Sequence, residues 1–313
     1  MAYSEEKPGK KAFSGTRHGG AYPKKSGAGN YKPARAANGG RPDRGDNARQ
    51  TPRDPQEVTG AADTERVGNG AVIGRNAVRE LLRSGRPVDK LLVQSGEREG
   101  ALVPIVGAAI ARGIPVVETE RRKLDAISGF APHQGVIAMA AEKEYCEVED
   151  ILAIARERGE KPLIVIADGI CDPYNLGAII RCAEGCGAHG LILPKRHAAG
   201  LSPLVTKSSA GAIEHLAVAK VSNISATIEE LKKAGVWIYA AEAGGDNFYD
   251  TDMSVPAAIV MGSEGDGVSE LVRRHCDYVV SIPMYGKVNS FNVSTAAAVL
   301  LCETARQQRT PKN

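Results

Sequence analysis

No Ile, Leu or Val occurs before Val58 in this 313-residue chain. Without branched aliphatic side chains a segment cannot bury enough apolar surface to offset the entropy of ordering it, so the first 57 residues are excluded from any core. A disordered basic tail is expected over residues 1–66. No apolar run approaches the roughly 18 residues of a membrane span, and the N-terminus lacks the roughly 7–15-residue apolar stretch of a secretory signal. These absences predict a cytoplasmic protein. The six cysteines have neither the density nor the spacing of a disulfide framework, and are expected to be reduced, small, buried residues. A His/Cys pair suited to nucleophilic catalysis is also missing, so a reactive cofactor has to drive any chemistry.

The net charge of +3 is small only as a sum. Residues 1–53 hold 12 Lys/Arg against 4 Asp/Glu, a net of +8, and residues 54–313 hold 28 against 33, a net of −5. The same 53 residues carry nine Gly and five Pro. Tyr3, Phe13, Tyr22 and Tyr31 recur there beside basic side chains, a mixture that suits weak phosphate and base-stacking contact with RNA, or a solubilising extension.

From Val72 onward short apolar runs alternate with amphipathic stretches. Ala77, Val78, Leu81 and Leu82 keep helical spacing up to Gly85, followed by a strand at 90–94, a helix at 102–112, a strand at 115–118, a short helix near Leu124 and a strand at 135–140. This is a small α/β unit at 67–142, with a linker and lead-in helix at 143–160. A second unit at 161–309 has strands at 163–167, 190–193, 216–220, 236–241, 257–261 and 278–282, and a last helix at 295–306; residues 310–313 are a C-terminal tail. Nearly continuous apolar strands separated by helices imply a parallel sheet covered on both faces. Ligands bind such sheets beyond the carboxyl ends of the strands.

Two motifs are decoys. Gly185, Gly187 and Gly190 match a dinucleotide fingerprint, but they follow a helix and precede a strand, the reverse of the order such a site needs. Cys182, Cys186 and His189 resemble a metal cluster without a fourth ligand, and are expected to be core cysteines and a surface histidine, with no metal. Three loops at strand ends carry more chemistry. Asn175, with N-cap character, and Arg181 follow the strand at 163–167; Glu264 lies between Gly262 and Gly267 after 257–261; Ser290, Asn292 and Ser294 follow 278–282. Together they place Asn, Arg, Glu and Ser near one rim.

Those segments, Asn175-Leu-Gly-Ala-Ile-Ile-Arg181, Met261-Gly-Ser-Glu264-Gly-Asp-Gly267 and Ile282-Pro-Met284 through Ser290-Phe291-Asn292-Val-Ser294, resemble the three signature motifs of the SpoU (TrmH) family of RNA ribose 2′-O-methyltransferases. Gly74-Arg-Asn-Ala-Val78, His133-Gln-Gly-Val-Ile137 and Lys207-Ser-Ser-Ala-Gly-Ala212 resemble the subgroup that methylates 23S ribosomal RNA and carries a small L30e-like substrate-binding domain. The resemblance implies S-adenosylmethionine as cofactor, a trefoil-knotted α/β SPOUT domain, and a homodimer with its active site at the interface. It makes Asn175, Arg181, Glu264, Ser290 and Asn292 the catalytic set. Gly262, Ile282, Met284, Phe291, Asn292 and Ser294 would surround the cofactor, with Phe291 standing where most relatives carry Leu. The substrate implied is a guanosine of 23S ribosomal RNA; the alternatives are 2′-O-methylation of a transfer RNA guanosine and a noncatalytic RNA-binding role in ribosome assembly. Arg75, Arg79, Arg121, Arg122 and Lys207, with Arg83 and Lys123 beside them, are the candidate RNA contacts on an otherwise acidic body.

Overall fold

The computed structural model describes residues 70–96 and 100–310. The expected tail at 1–66, with its basic and aromatic residues, lies outside the described residues.

The first unit contains β1 (Ala71–Ile73), α1 (Arg75–Ser84), β2 (Val88–Gln94), α2 (Leu102–Ala111), β3 (Val116–Thr119), α3 (Arg121–Ile127) and β4 (Val136–Ala140). Its sheet runs β1-β4-β2-β3, with β4 antiparallel to both neighbours and β2 parallel to β3. In α1 the four apolar residues read from the sequence are the buried face, and Gly85 ends the helix at φ 84°, a left-handed position that glycine takes without steric cost. Strand β1 was not anticipated, because three residues are too few to show a period. Two motifs far apart in sequence meet here: Gln134 Oε1 accepts from Arg75 N at 2.9 Å, and Gln134 O accepts from Arg75 Nε at 2.9 Å.

The second unit contains α4 (Val148–Arg158), β5 (Leu163–Ala167), α5 (Pro173–Gly185), β6 (Gly190–Pro194), α6 (Pro203–Ser208), β7 (Ala217–Val221), α7 (Ile224–Lys233), β8 (Trp237–Asn247), β9 (Ala257–Met261), α8 (Glu270–His275), β10 (Tyr278–Ser281) and α9 (Val293–Arg309). Its six strands are all parallel in the order β10-β8-β9-β5-β6-β7. All five residues of β5 are buried because helices cover both faces. Leu163, Val165 and Ala167 pack with Ile179 and Ile180 of α5 and Leu300 and Leu301 of α9. Ile164 and Ile166 pack with Ile151 of α4 and Ile228 and Leu231 of α7. Burying each such aliphatic side chain stabilises the fold by roughly 1.5–3 kcal/mol.

Strand β8 runs six residues beyond the expected 236–241, because its second half pairs with β10 past a register shift between Val279 and Val280. Gly245 permits this: a Cβ there would stand 2.4 Å from Val279 O. The two units are joined by an ion pair between Arg86 Nη2 and Glu214 Oε1 at 3.0 Å and a hydrogen bond between His215 Nε2 and Glu80 Oε2 at 3.1 Å. Burial pushes the Glu214 carboxyl up, opposed by the Arg86 and Lys143 charges.

The decoy glycines end α5 at Gly185 and turn the chain at Gly187, φ 73°, into β6. His189 is not on the surface. It is 3% exposed, its Nδ1 accepts from Leu163 N at 3.0 Å, and its Nε2 lies 3.1 Å from Glu160 Oε2. Burial lowers its pKa and favours the neutral ring. Cysteine burial also departs from expectation: Cys186 is buried, but Cys171 and Cys302 are exposed. Cys302, although exposed, sets its Sγ 3.3 Å from that of Cys186. Among the described residues no helix is long and apolar enough to cross a membrane.

Helices α5 and α6 touch through Gly177, where a Cβ would stand 2.8 Å from Ser208 Cβ and 2.9 Å from Ser209 N. Gly177→Ala is therefore expected to destabilise the protein by about 1–3 kcal/mol, as overpacking does. Gly185→Ala, with nothing within 4 Å of the added methyl, should be neutral or stabilising by up to about 1 kcal/mol. Urea denaturation of the two variants checks the contrast.

Candidate active site

The site forms where the central strands β5 and β9 end side by side. Asp168 N donates to Met261 O at 2.8 Å, and Asp168 Oδ2 accepts from Ser269 N at 2.8 Å, so the loops leaving the two strands start tied together. Asp172, not Asn175, caps α5. Its carboxylate accepts from Tyr174 N at 3.2 Å and Asn175 N at 3.1 Å, and Pro173 fills the first helical position. Relieved of capping, the Asn175 side chain turns away from its own helix. After β9, Ser263 and Gly267 exchange two backbone hydrogen bonds of 3.0 and 3.1 Å, closing a tight turn that exposes Glu264. Gly262 is required there because a Cβ would lie 2.0 Å from Gly267 C. Its close approach is to the turn's own backbone. Asn292 caps α9, with Oδ1 accepting from Ser294 N at 2.9 Å and Ser294 Oγ at 2.6 Å.

These three loops converge on one network. Asn292 Oδ1 faces a backbone N–H, which can only donate, so Nδ2 must be the atom turned to the other loops. Asn292 Nδ2 donates to Asn175 Oδ1 at 3.0 Å and to Glu264 Oε1 at 2.9 Å, and Asn175 Nδ2 donates to Glu264 Oε1 at 2.6 Å. One carboxylate oxygen is saturated by two amides. Glu264 Oε2 makes no hydrogen bond among the described residues. Beside the network lies a cleft of about 540 Å³, lined by the backbone and side chains of 169–172 and 263–266 together with Asn175, His197 and Val293.

The network unites Asn175, Glu264, Asn292 and Ser294 of the expected residues, with Gly262 shaping the turn beneath Glu264. Arg181 is exposed on α5 and makes no hydrogen bond or ion pair with a described residue. Ser290 is exposed, and its side chain joins no bond of the network. Ile282 and Met284 are half-buried at the start of the loop that reaches Phe291, which is 46% exposed. Backbone groups of residues 282–291 form no hydrogen bond with other described backbone. Free backbone donors and acceptors next to the apolar side chains of Met284 and Phe291 fit a purine. The chain thus offers what the adenosine of an adenosyl sulfonium cofactor requires.

Several candidate RNA contacts are already engaged. Arg75 holds Gln134, Arg79 Nη1 donates to Asn76 Oδ1 at 3.4 Å, Arg83 pairs with Glu80 at 2.8 Å and Arg121 lies 3.9 Å from Asp125. Arg122 and Lys123 are exposed on α3. Lys207, half-buried at the end of α6, has its pKa lowered by burial. Sequence reasoning missed Asp172 and His197. The Asp172-Pro173 pair was a legible helix start, and His197 follows the end of β6, a strand end that carried no glycine-rich polar motif. Among the described residues no group of three or more His, Cys, Asp or Glu could hold a metal ion.

Solved structures similar to this chain include methyltransferases with AdoMet bound. The SpoU methyltransferase AviRb from Streptomyces viridochromogenes, in complex with AdoMet, superposes with a TM-score of 0.65 at 27% identity over 77% of this chain and 91% of that chain. An AdoMet-bound rRNA methyltransferase from Sinorhizobium meliloti gives 0.63 at 25% identity over 77% and 88%. Residues 162–302 match the SpoU rRNA Methylase family, and residues 71–146 match the RNA 2′-O ribose methyltransferase substrate-binding domain. The Bacillus subtilis protein YacO, grouped with TrmH family tRNA/rRNA methyltransferases, is 42% identical over 76% of this chain and 95% of its own length. The chain belongs to the SpoU (TrmH) family and is an RNA methyltransferase that uses S-adenosylmethionine.

Replacing the Asn175 amide by a carboxyl tests the network's polarity. Asn175→Asp sets two carboxyl oxygens about as close as the present 2.6 Å pair, so the two groups share a proton and their folded-state pKa rises. Raised carboxyl pKa values favour folding below the unfolded pKa of about 4 and are a penalty above it. The variant should be near wild-type stability at about pH 4 and about 1–3 kcal/mol less stable at pH 7, measured by urea denaturation across pH.

Proposed function

We propose that the protein methylates the ribose 2′-oxygen of a guanosine in 23S ribosomal RNA, acting as a homodimer with its active sites at the interface. The observation that carries the reading is the network of Asn175, Glu264 and Asn292 beside the cleft, with one carboxylate oxygen left over. Likeness to an rRNA methyltransferase and the match of residues 162–302 to the SpoU rRNA Methylase family favour ribosomal RNA. Relatives grouped as tRNA/rRNA methyltransferases favour transfer RNA as the second reading. The trefoil knot belongs to the proposal through likeness to solved SpoU methyltransferases.

When bound, S-adenosylmethionine supplies a methyl group already activated by its sulfonium, leaving the chain to place a hydroxyl in line and manage its proton. Glu264 Oε2 accepts the hydroxyl's hydrogen bond, while the Asn175 and Asn292 amides keep the carboxylate from rotating. Ser290 orients the same hydroxyl from the third loop. Arg181 keeps its charge under all relevant conditions, so it binds the flanking phosphate and stabilises the developing alkoxide. Its separation from the network within one chain is consistent with a site completed by a second copy. The free backbone of 282–291 holds the adenosine edge, with Gly262, Ile282, Met284, Phe291, Asn292 and Ser294 around it. Arg79, Arg121, Arg122 and Lys207, together with the Arg75 region, approach the RNA more distantly.

Arg181→Lys preserves the charge and removes the planar fork, so single-turnover methylation should fall by about 10²-fold with cofactor affinity unchanged; near-normal turnover contradicts the role. Mapping ribose methylation in ribosomal and transfer RNA from cells with and without the protein should show one 23S guanosine losing its methyl. Loss at a transfer RNA position instead selects the second reading.

A further inference from the structure

We propose that Lys195, Arg196 and His197, on the loop between β6 and α6, hold the RNA backbone phosphates next to the ribose being methylated. The inference rests on the RNA-ribose reading above and adds to it where the substrate's charge is met. His197 lines the cleft that Asn175 and Glu264 also line, and it does so from a left-handed backbone conformation, φ 57°, that few residues other than glycine adopt. The loop is fixed to its neighbours: Ala199 N donates to Ile170 O at 2.8 Å on the loop after β5, and Leu201 N donates to the Tyr145 hydroxyl at 3.1 Å. A loop pinned on both sides at the cleft wall holds the His197 side chain facing the cleft.

Charge argues the same way. The cleft's other ionisable walls are Asp172, Glu264 and Asp266, which repel a phosphodiester, together with the Cys171 thiol. A nucleotide can enter with its ribose toward Glu264 only if its phosphates lie along the basic side. Lys195, Arg196 and His197 are consecutive, all exposed, and make no side-chain hydrogen bond or ion pair with a described residue. In the small domain, by contrast, Arg83 and Arg121 are held by Glu80 and Asp125. Two cations and an imidazole, consecutive on a loop whose His197 lines the acidic cleft and without side-chain partners among the described residues, form a phosphate rail.

The test uses the full chain and an in vitro transcript of 23S ribosomal RNA, with RNA affinity measured against KCl concentration and S-adenosylmethionine affinity measured by calorimetry. Lys195→Ala/Arg196→Ala should reduce the slope of log affinity against log salt by roughly 1.4–1.8, two phosphate contacts' worth, and leave cofactor affinity unchanged. Lys195→Arg/Arg196→Lys should retain the slope. His197→Ala should weaken RNA affinity about tenfold with the same cofactor affinity, a loss comparable to one hydrogen bond to a charged group. An unchanged salt slope and RNA affinity in the double alanine variant, with wild type binding RNA, overturns the rail alone. Equal loss of cofactor affinity also overturns it. Wild type that binds the cofactor but no RNA overturns the underlying reading, and the rail with it.

Discussion

The backbone N–H of Ser294 meets Asn292 Oδ1 at the start of α9, and this contact sets the direction of the side-chain hydrogen bonds that join Asn292, Asn175 and Glu264. An N–H has no acceptor form, so the Asn292 amide can face it only one way. The opposite edge of that amide then donates to Glu264 and Asn175, and Asn175 donates to Glu264 in turn. Loops leaving β5, β9 and β10 become one rigid assembly. A carboxylate fixed through one oxygen presents the other with a defined position, which is what orienting a hydroxyl demands.

That assembly depends on a sheet with its middle strands in register. Leu163 pairs with Ala257 and Ala167 with Met261, so β5 and β9 finish at the same level, and Asp168 clips the following loops together. Close backbone approach does the rest. Gly262 lets the turn carrying Glu264 close on Gly267, Gly245 lets β8 lie against β10, and Gly177 lets α6 press on α5. Each contact is between backbone or short side chains, so shape at the site is set by main-chain geometry and tolerates little added volume.

Much of this was legible in the sequence where local pattern and tertiary role coincide. Every strand of the parallel sheet appeared as an apolar run because both faces of a residue pair such as Leu163 and Ile164 are covered. Asn175, Glu264 and Asn292 were legible as polar residues at strand ends. The direction of their bonds was not, since it follows from a helix cap 117 residues away from Asn175. Asn175 reads as a cap by composition, yet Asp172 three residues earlier takes that role and frees it. His189 looked like surface because a buried histidine is betrayed only by partners, here Leu163 and Glu160, that the fold brings to it. Strand β1, three residues long, has no period at all.

We propose that three loops from one parallel sheet build a site for methyl transfer to a ribose hydroxyl. The most direct measurement incubates the protein with deuterium-labelled S-adenosylmethionine and ribosomal RNA from cells lacking it, then identifies labelled nucleosides by mass spectrometry. Labelled 2′-O-methylguanosine is expected, and it is absent when Glu264 is replaced by Ala. Label on a base, or label on ribose undiminished in Glu264→Ala, would contradict the proposal.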